Sequence, residues 1–183
     1  QIRGSVPLFW RQTGVMAPPE LTKSLEYANP YFIKHMGKIK GSYGDIYCVN
    51  LMSATKSGEC TLSLDFEKIV QQNADPRISY DHIDFHGITE GTNFTAINDF
   101  LEKHEHFIKE HECHAYSCRT RDDGVILEIK KVSSQKGVIR TNCVDCLDRT
   151  NAFQTKIAFL SLKMIAGLLG MDNLIGDAKV GTV

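Results

Sequence analysis

The sequence predicts an α/β domain, a central mixed β-sheet flanked by helices, and three observations predict it. Segments with strand and helix patterning alternate through most of the 183 residues. The run DIYCVNLM, Asp45–Met52, is rich in β-branched and aromatic residues and reads as a buried strand. The run GVIR, Gly137–Arg140, reads as a last short strand that feeds a loop and then a long helix, Asn151–Leu169.

The other elements follow in order. SVPLFW, Ser5–Trp10, is a short apolar segment, extended or a strand, and MAPPE ends it as a loop. Phe32, Met36, Ile39 and Tyr43 have helical spacing, with Asn29 as the N-cap, Pro30 at the first helical position and Gly44 as the stop. After the Asp45–Met52 strand, TKSGE is a turn. Leu62, Phe66, Ile69 and Val70 then set a helix over Thr61–Asn73. Ile78–His86 is read as a strand, which puts His82 and His86 on one face. Thr92–Glu112 is expected as a long amphipathic helix carrying Phe94, Ile97, Leu101, His104 and Ile108 on one side. AYSCR and GVILEIKK form two strands about the turn TRDDG, and Gly170 caps the final helix.

Composition narrows the function classes. Hydrophobic residues make up 42% and charged residues 23%, which suits one soluble globular domain with a sizeable core. The net charge of −1 gives no global basic field, so nucleic acid is not an expected partner and any anion site must be local. The longest apolar stretch, Ile157–Gly170, is interrupted by Lys163 and reads as a buried helix rather than a membrane span. The start lacks the apolar core and cleavage site of a signal peptide. It also lacks an initiator Met, and both ends are expected to be cut from a longer chain. The six cysteines are therefore read as reduced thiols of a cytoplasmic protein.

The chemistry concentrates in VIRTNCVDCLDRTNAFQ, Val138–Gln154. A loop between a strand and a helix N-terminus points free backbone N–H groups at one spot, and the helix dipole adds positive charge there. Cys143 and Arg149 stand at Cys-x5-Arg spacing. A loop curled around a phosphate lets Arg149 grip its oxygens bidentately, and the same field is expected to lower the Cys143 pKa and leave a nucleophilic thiolate. Thr150 places a hydroxyl where it can hydrogen-bond that sulfur. Asp145 and Asp148, beside a phosphate dianion, are expected to have raised pKa values, so either can serve as the proton donor to a leaving alkoxide. Strand, phosphate loop and helix together are the arrangement of a cysteine phosphatase.

RTNCVDCLDRTN resembles the catalytic signature of the Sac-domain phosphoinositide phosphatases. RGSVPLFW (Arg3–Trp10), YCVNLM and IDFH (Ile83–His86) are similar to further segments of that family, so the resemblance spans nearly the whole chain. It implies hydrolysis of a phosphate from the inositol ring of a membrane phosphoinositide, by a cysteine mechanism that needs no metal or other cofactor. It implies Cys143 as the nucleophile, Arg149 as the phosphate clamp and Asp148 as the acid, preferred to Asp145 because it directly precedes the arginine. Asn142, Val144, Asp145, Cys146 and Leu147 complete the loop around the substrate, and His86 and Arg3 are candidate substrate contacts. The chain, residues 1–183, looks like the catalytic portion of a Sac domain, without the subdomain that precedes it in the family.

Rival readings bear on the same residues. Cys143 and Cys146 with His111, Cys113, His114 and Cys118 give a zinc set on paper, but no second well-spaced pair completes it and Arg149 has no role there. A thioredoxin-like redox pair uses the same Cys-x-x-Cys at a helix start. Cys146 is otherwise expected to be a bystander thiol. His104, His106 and His111 lack the i, i+4 spacing of a helical metal pair and read as a solvated face. Lys38, Lys40, Lys130, Lys131, Lys136 and Arg140 are candidates for contact with an anionic membrane surface on its cytosolic face. From a different class, the chain could be a phosphoinositide-binding module without activity.

Overall fold

The computed structural model describes residues 1–14, 17–88, 100, 102 and 105–171. Four parallel strands form the main sheet in the order β1-β8-β4-β5: β1 (Ile2–Arg3), β8 (Gly137–Asn142), β4 (Asp45–Asn50) and β5 (Ile78–His82). Antiparallel pairing is confined to two separate hairpins, β2 (Trp10–Arg11) with β3 (Glu20–Leu21), and β6 (Ala115–Thr120) with β7 (Ile126–Ser133). Parallel strands need helices over both faces, and β4 and β8 read accordingly as buried runs.

Side-chain alternation on these strands divides the core in two. Ile46, Cys48 and Val138 face α1 (Leu25–Tyr43) and α2 (Glu59–Asn73) and pack with Phe32, Met36, Leu62 and Phe66. Tyr47, Val49 and Ile139 face the other way. They pack with Ile108 of the short helix α4 (Glu105–His111), and with Phe153 and Ile157 of α5 (Asp148–Leu168). Each of these fully buried large side chains contributes about 1.5–3 kcal/mol of transfer free energy. Phe32 and Phe66 sit edge to face, 6.5 Å between centroids.

Several boundaries differ from expectation. The first helix begins at Leu25, not Pro30, because the Ser24 hydroxyl accepts the Tyr27 N–H at 3.3 Å and supplies a cap that hydrophobic periodicity does not register. Pro30 then lies inside the helix. The segment expected as a strand to His86 leaves the sheet at His82, and Phe85–Ile88 forms a short helix, α3. His86 therefore lies on a helical turn rather than on a strand face with His82. The last helix starts at Asp148, so it contains Arg149 and Thr150. The long helix expected over Thr92–Glu112 falls largely outside the described residues; its end, Glu105–His111, is helical. Gly170 does cap the last helix, with its N–H on the Gly167 carbonyl and the Met171 N–H on the Ala166 carbonyl.

Gly44 fixes how α1 enters β4. It closes the helix with its N–H on the Lys40 carbonyl and turns with φ +90°. A Cβ there would lie 1.9 Å from the Lys136 carbonyl oxygen, which itself accepts the Asp45 N–H. Gly44→Ala is expected to lower stability by about 2 kcal/mol or more, read as a fall in the thermal unfolding midpoint. An unchanged midpoint would mean that this junction relaxes freely.

Candidate active site

Because the main-sheet strands run parallel, Arg3, Asn142, Asn50 and His82 all end at one edge, where α/β sheets place their ligands. Cross-strand hydrogen bonds stiffen that edge. Asn142 donates Nδ2 to Asn50 Oδ1 at 2.7 Å, and Asn50 Nδ2 reaches Ser63 Oγ at 2.5 Å and the Tyr80 hydroxyl at 3.0 Å. The loop Cys143–Leu147 leaves from this edge and enters α5.

The loop folds around the Cys143 sulfur. Cys143 is fully buried. The Cys146 N–H donates to its Sγ at 3.0 Å, and the buried Thr150 Oγ1 lies 3.1 Å away. Cys146 adopts φ +56°, a left-handed conformation uncommon for a residue with a side chain, and this turn directs its N–H inward. Asp145 Oδ1 accepts from Cys143 Sγ at 3.5 Å and from the Leu147 N–H at 3.1 Å. Leu147 is exposed, and Val144 packs against the α1/α2 side of the core. Arg3, at the end of β1, braces the loop from outside: its Nη1 donates to the Cys146 carbonyl at 3.1 Å and to Asn151 Oδ1 at 2.6 Å. Asp148 is exposed at the first position of α5. The His86 side chain lies outside the described residues.

Three electrostatic expectations are corrected. Cys143 is not the low-pKa thiol. Its hydrogen bond with Cys146, and then burial, push it up against the opposing pull of Thr150 and Arg149. Its partner is held down to about 6, first by the hydrogen bond with Cys143 and further by the charge of Arg140. The pair gives up its first proton early and its second late, so Cys146 is the electrostatic partner of Cys143 and not a bystander. Asp145 is also reversed: the Leu147 N–H holds its carboxyl below the usual range, so it stands ionised. Arg149, finally, does not curl back over the loop. Its Nη1 donates to Glu59 Oε2 at 2.7 Å and to the Leu51 carbonyl at 3.3 Å.

The candidate basic surface is smaller than the sequence suggests. Arg140 is 2% exposed. It donates to the Ser5 carbonyl and to Asn142 Oδ1 and stacks over Phe66, so it cannot meet a membrane. Lys40 is paired with Asp75, and Lys136 with Glu112. Lys38 on α1 remains exposed, as do Lys130 and Lys131 on β7 beside Ile129. Among the described residues no three His, Cys, Asp or Glu side chains gather as a metal site, and no helix is long and apolar enough to cross a membrane. Glu59 is the site residue that the sequence does not mark. A glutamate at the first position of a helix is ordinary, since the dipole favours it.

Comparison with known proteins finds similarity along most of the chain. A family model of the SacI homology domain matches residues 1–90. The chain is 34% identical to polyphosphatidylinositol phosphatase INP53 of Saccharomyces cerevisiae over 186 residues, covering 97% of the chain and 16% of that protein. It is 35% identical to synaptojanin-2 of Rattus norvegicus over 182 residues, covering 94% of the chain and 11% of the relative. For the synaptojanin of Caenorhabditis elegans the identity is 34% over 191 residues, with 97% of the chain and 16% of the relative covered. The chain thus spans a small part of the length of each.

The thiol pair makes a measurable prediction. Alkylation of Cys146 is expected to titrate with a midpoint near pH 6, and in Cys143→Ala the midpoint should rise because the hydrogen bond with Cys143 is removed. A midpoint near that of a free thiol in the unaltered protein would show that the pair is not coupled.

Proposed function

From the match of residues 1–90 to the SacI homology domain and the similarity of the chain to synaptojanin-2 and INP53, we propose that it carries the catalytic portion of a phosphoinositide phosphatase. The substrate is a membrane phosphatidylinositol phosphate, which loses a phosphate monoester from its inositol ring. One relative is named a polyphosphatidylinositol phosphatase, which supports the substrate class. One observation carries the chemistry: a buried cysteine sulfur, met by a loop N–H and a threonine hydroxyl, directly before a helix whose first turn bears an arginine.

In the proposed reaction the proton held by Cys143 first passes to the ionised Cys146, and Cys143 then attacks phosphorus as the thiolate. An S–P bond forms while the ester P–O bond breaks. Asp148 gives its proton to the departing inositol oxygen, the role that the ionised Asp145 cannot fill. Loop amides and Arg149 hold the equatorial oxygens as negative charge shifts among them. Water, losing a proton to Asp148, then cleaves the phosphocysteine, releasing inorganic phosphate and restoring the thiolate. Arg3, Asn142, Val144, Cys146, Leu147 and His86 are assigned to the walls of this site, with no cofactor. The enzyme works at the cytosolic face of a membrane, where Lys130 and Lys131 meet anionic headgroups at about 1 kcal/mol each.

Cys143→Ser should abolish phosphate release from phosphoinositide vesicles; undiminished release removes the proposed nucleophile. Asp148→Asn should slow the first chemical step while lipid binding is kept, and an unaltered rate moves the acid elsewhere. Replacing Lys130 and Lys131 together by Ala should lower turnover on anionic vesicles and spare a soluble short-chain substrate. Equal losses on both would take the hairpin out of the membrane contact.

A further inference from the structure

Arg149 is held at a defined angle by a group on another element. Glu59 opens α2, and its Oε2 accepts two hydrogen bonds, from Arg149 Nη1 at 2.7 Å and from the Ser53 N–H at 2.9 Å. The pair is well shielded, with side-chain exposures of 21% for Arg149 and 11% for Glu59. The Leu51 carbonyl takes the same Nη1. Among the described residues Nε and Nη2 of Arg149 donate no such hydrogen bond, so one corner of the guanidinium is fixed and its other edge is left for a ligand. Arg149 remains within electrostatic reach of Cys143 and Asp145.

Glu59 is itself anchored. Gly58 before it turns with φ +78°, and a Cβ there would lie 2.4 Å from the Pro19 carbonyl oxygen. The start of α2 is therefore pressed against the Pro18–Pro19 turn, and the Glu59 backbone has little freedom. Ser53 sits on the segment that leaves β4, beside the departing loop of β8. The ion pair ties the helix that carries Arg149 to the opposite wall of the sheet edge.

We propose that Glu59 is a positioning residue: it holds Nη1 of Arg149 so that the remaining guanidinium edge faces a tetrahedral oxyanion in the Cys143–Leu147 loop. This rests on the phosphatase reading for its chemistry, but the positioning itself needs only that the loop binds a phosphate. Arg149 alone would sample many rotamers, and each binding event would cost the entropy of ordering it. A guanidinium fixed at one corner is ordered in advance. Removing Glu59 leaves Arg149 charged and mobile, with its average placement lost.

The test uses the full chain and two readouts, kcat/KM for phosphate release from a short-chain phosphoinositide, and the Kd of inorganic phosphate by calorimetry. Glu59→Ala and Arg149→Ala should each lower kcat/KM by on the order of 100-fold, the scale set by a misplaced reacting group. The double variant should fall no further than Arg149→Ala. Glu59→Gln, whose amide oxygen can still accept the Nη1 hydrogen, should recover part of the loss with an unchanged unfolding midpoint. A merely structural glutamate would instead give losses that add to those of Arg149→Ala, and that result overturns the proposal. Activity and phosphate affinity unchanged in Glu59→Ala also overturn it. If the unaltered protein releases no phosphate but binds it with the same non-additive dependence on both residues, the positioning stands and only the phosphatase reading falls. If it neither hydrolyses the lipid nor binds phosphate, both fall.

Discussion

The site depends on the parallel pairing of β8 with β4. In that register Asn142 lies opposite Asn50, so the two strands end side by side and their exits leave from the same edge. The exit of β8 becomes the Cys143 loop. The exit of β4 becomes Leu51–Ser53, which supplies a carbonyl to Arg149 and an N–H to Glu59. The Asn142–Asn50 hydrogen bond locks the two exits together, and Asn50 passes the constraint to Ser63 on α2 and Tyr80 on β5. A one-residue slip of β8 would turn Cys143 from the α5 side to the α1/α2 side and separate it from Thr150.

Electrostatics at this edge are arranged around few, well-partnered charges. The Glu59–Arg149 pair is largely out of water, a placement that costs desolvation and is offset only by good geometry and further hydrogen bonds. Glu59 has both: despite burial, which raises its pKa, Arg149 and the Ser53 N–H leave its carboxyl below the ordinary range. Arg140 takes a different solution. It is buried with a carbonyl, an amide oxygen and an aromatic face as partners, and its charge reaches the Cys146 thiol. The cations that act on the two sulfurs thus come from Arg140 in the sheet and Arg149 on α5, although the chain as a whole is almost neutral.

Much of this was legible in the sequence, because it rests on local patterns. The buried runs of β4 and β8, the hairpin about Asp122–Gly124 and the C-terminal glycine signals all reappear in place. The meeting of Cys143 with Thr150 follows from a strand, a tight loop and a helix in succession. Contacts between distant segments were not legible. The partner of Arg149 lies 90 residues away, and nothing in a lone glutamate after Gly58 announces it. Arg140 looked like a surface cation because strand position does not say which face a long polar side chain will enter. Asp145 was misjudged for a similar reason, since a backbone N–H decides its titration and sequence does not show where that N–H points.

The central claim is that the Cys143 sulfur is the atom that receives the phosphoryl group. The most direct measurement is rapid acid quench of the full chain during turnover of a phosphoinositide labelled in its ring phosphate, followed by peptide mapping of the protein-bound label. The account predicts transient label on the peptide that carries Cys143, and none in Cys143→Ser. Phosphate release at the normal rate with no protein-bound label, or label on a residue outside the Cys143–Leu147 loop, would contradict it.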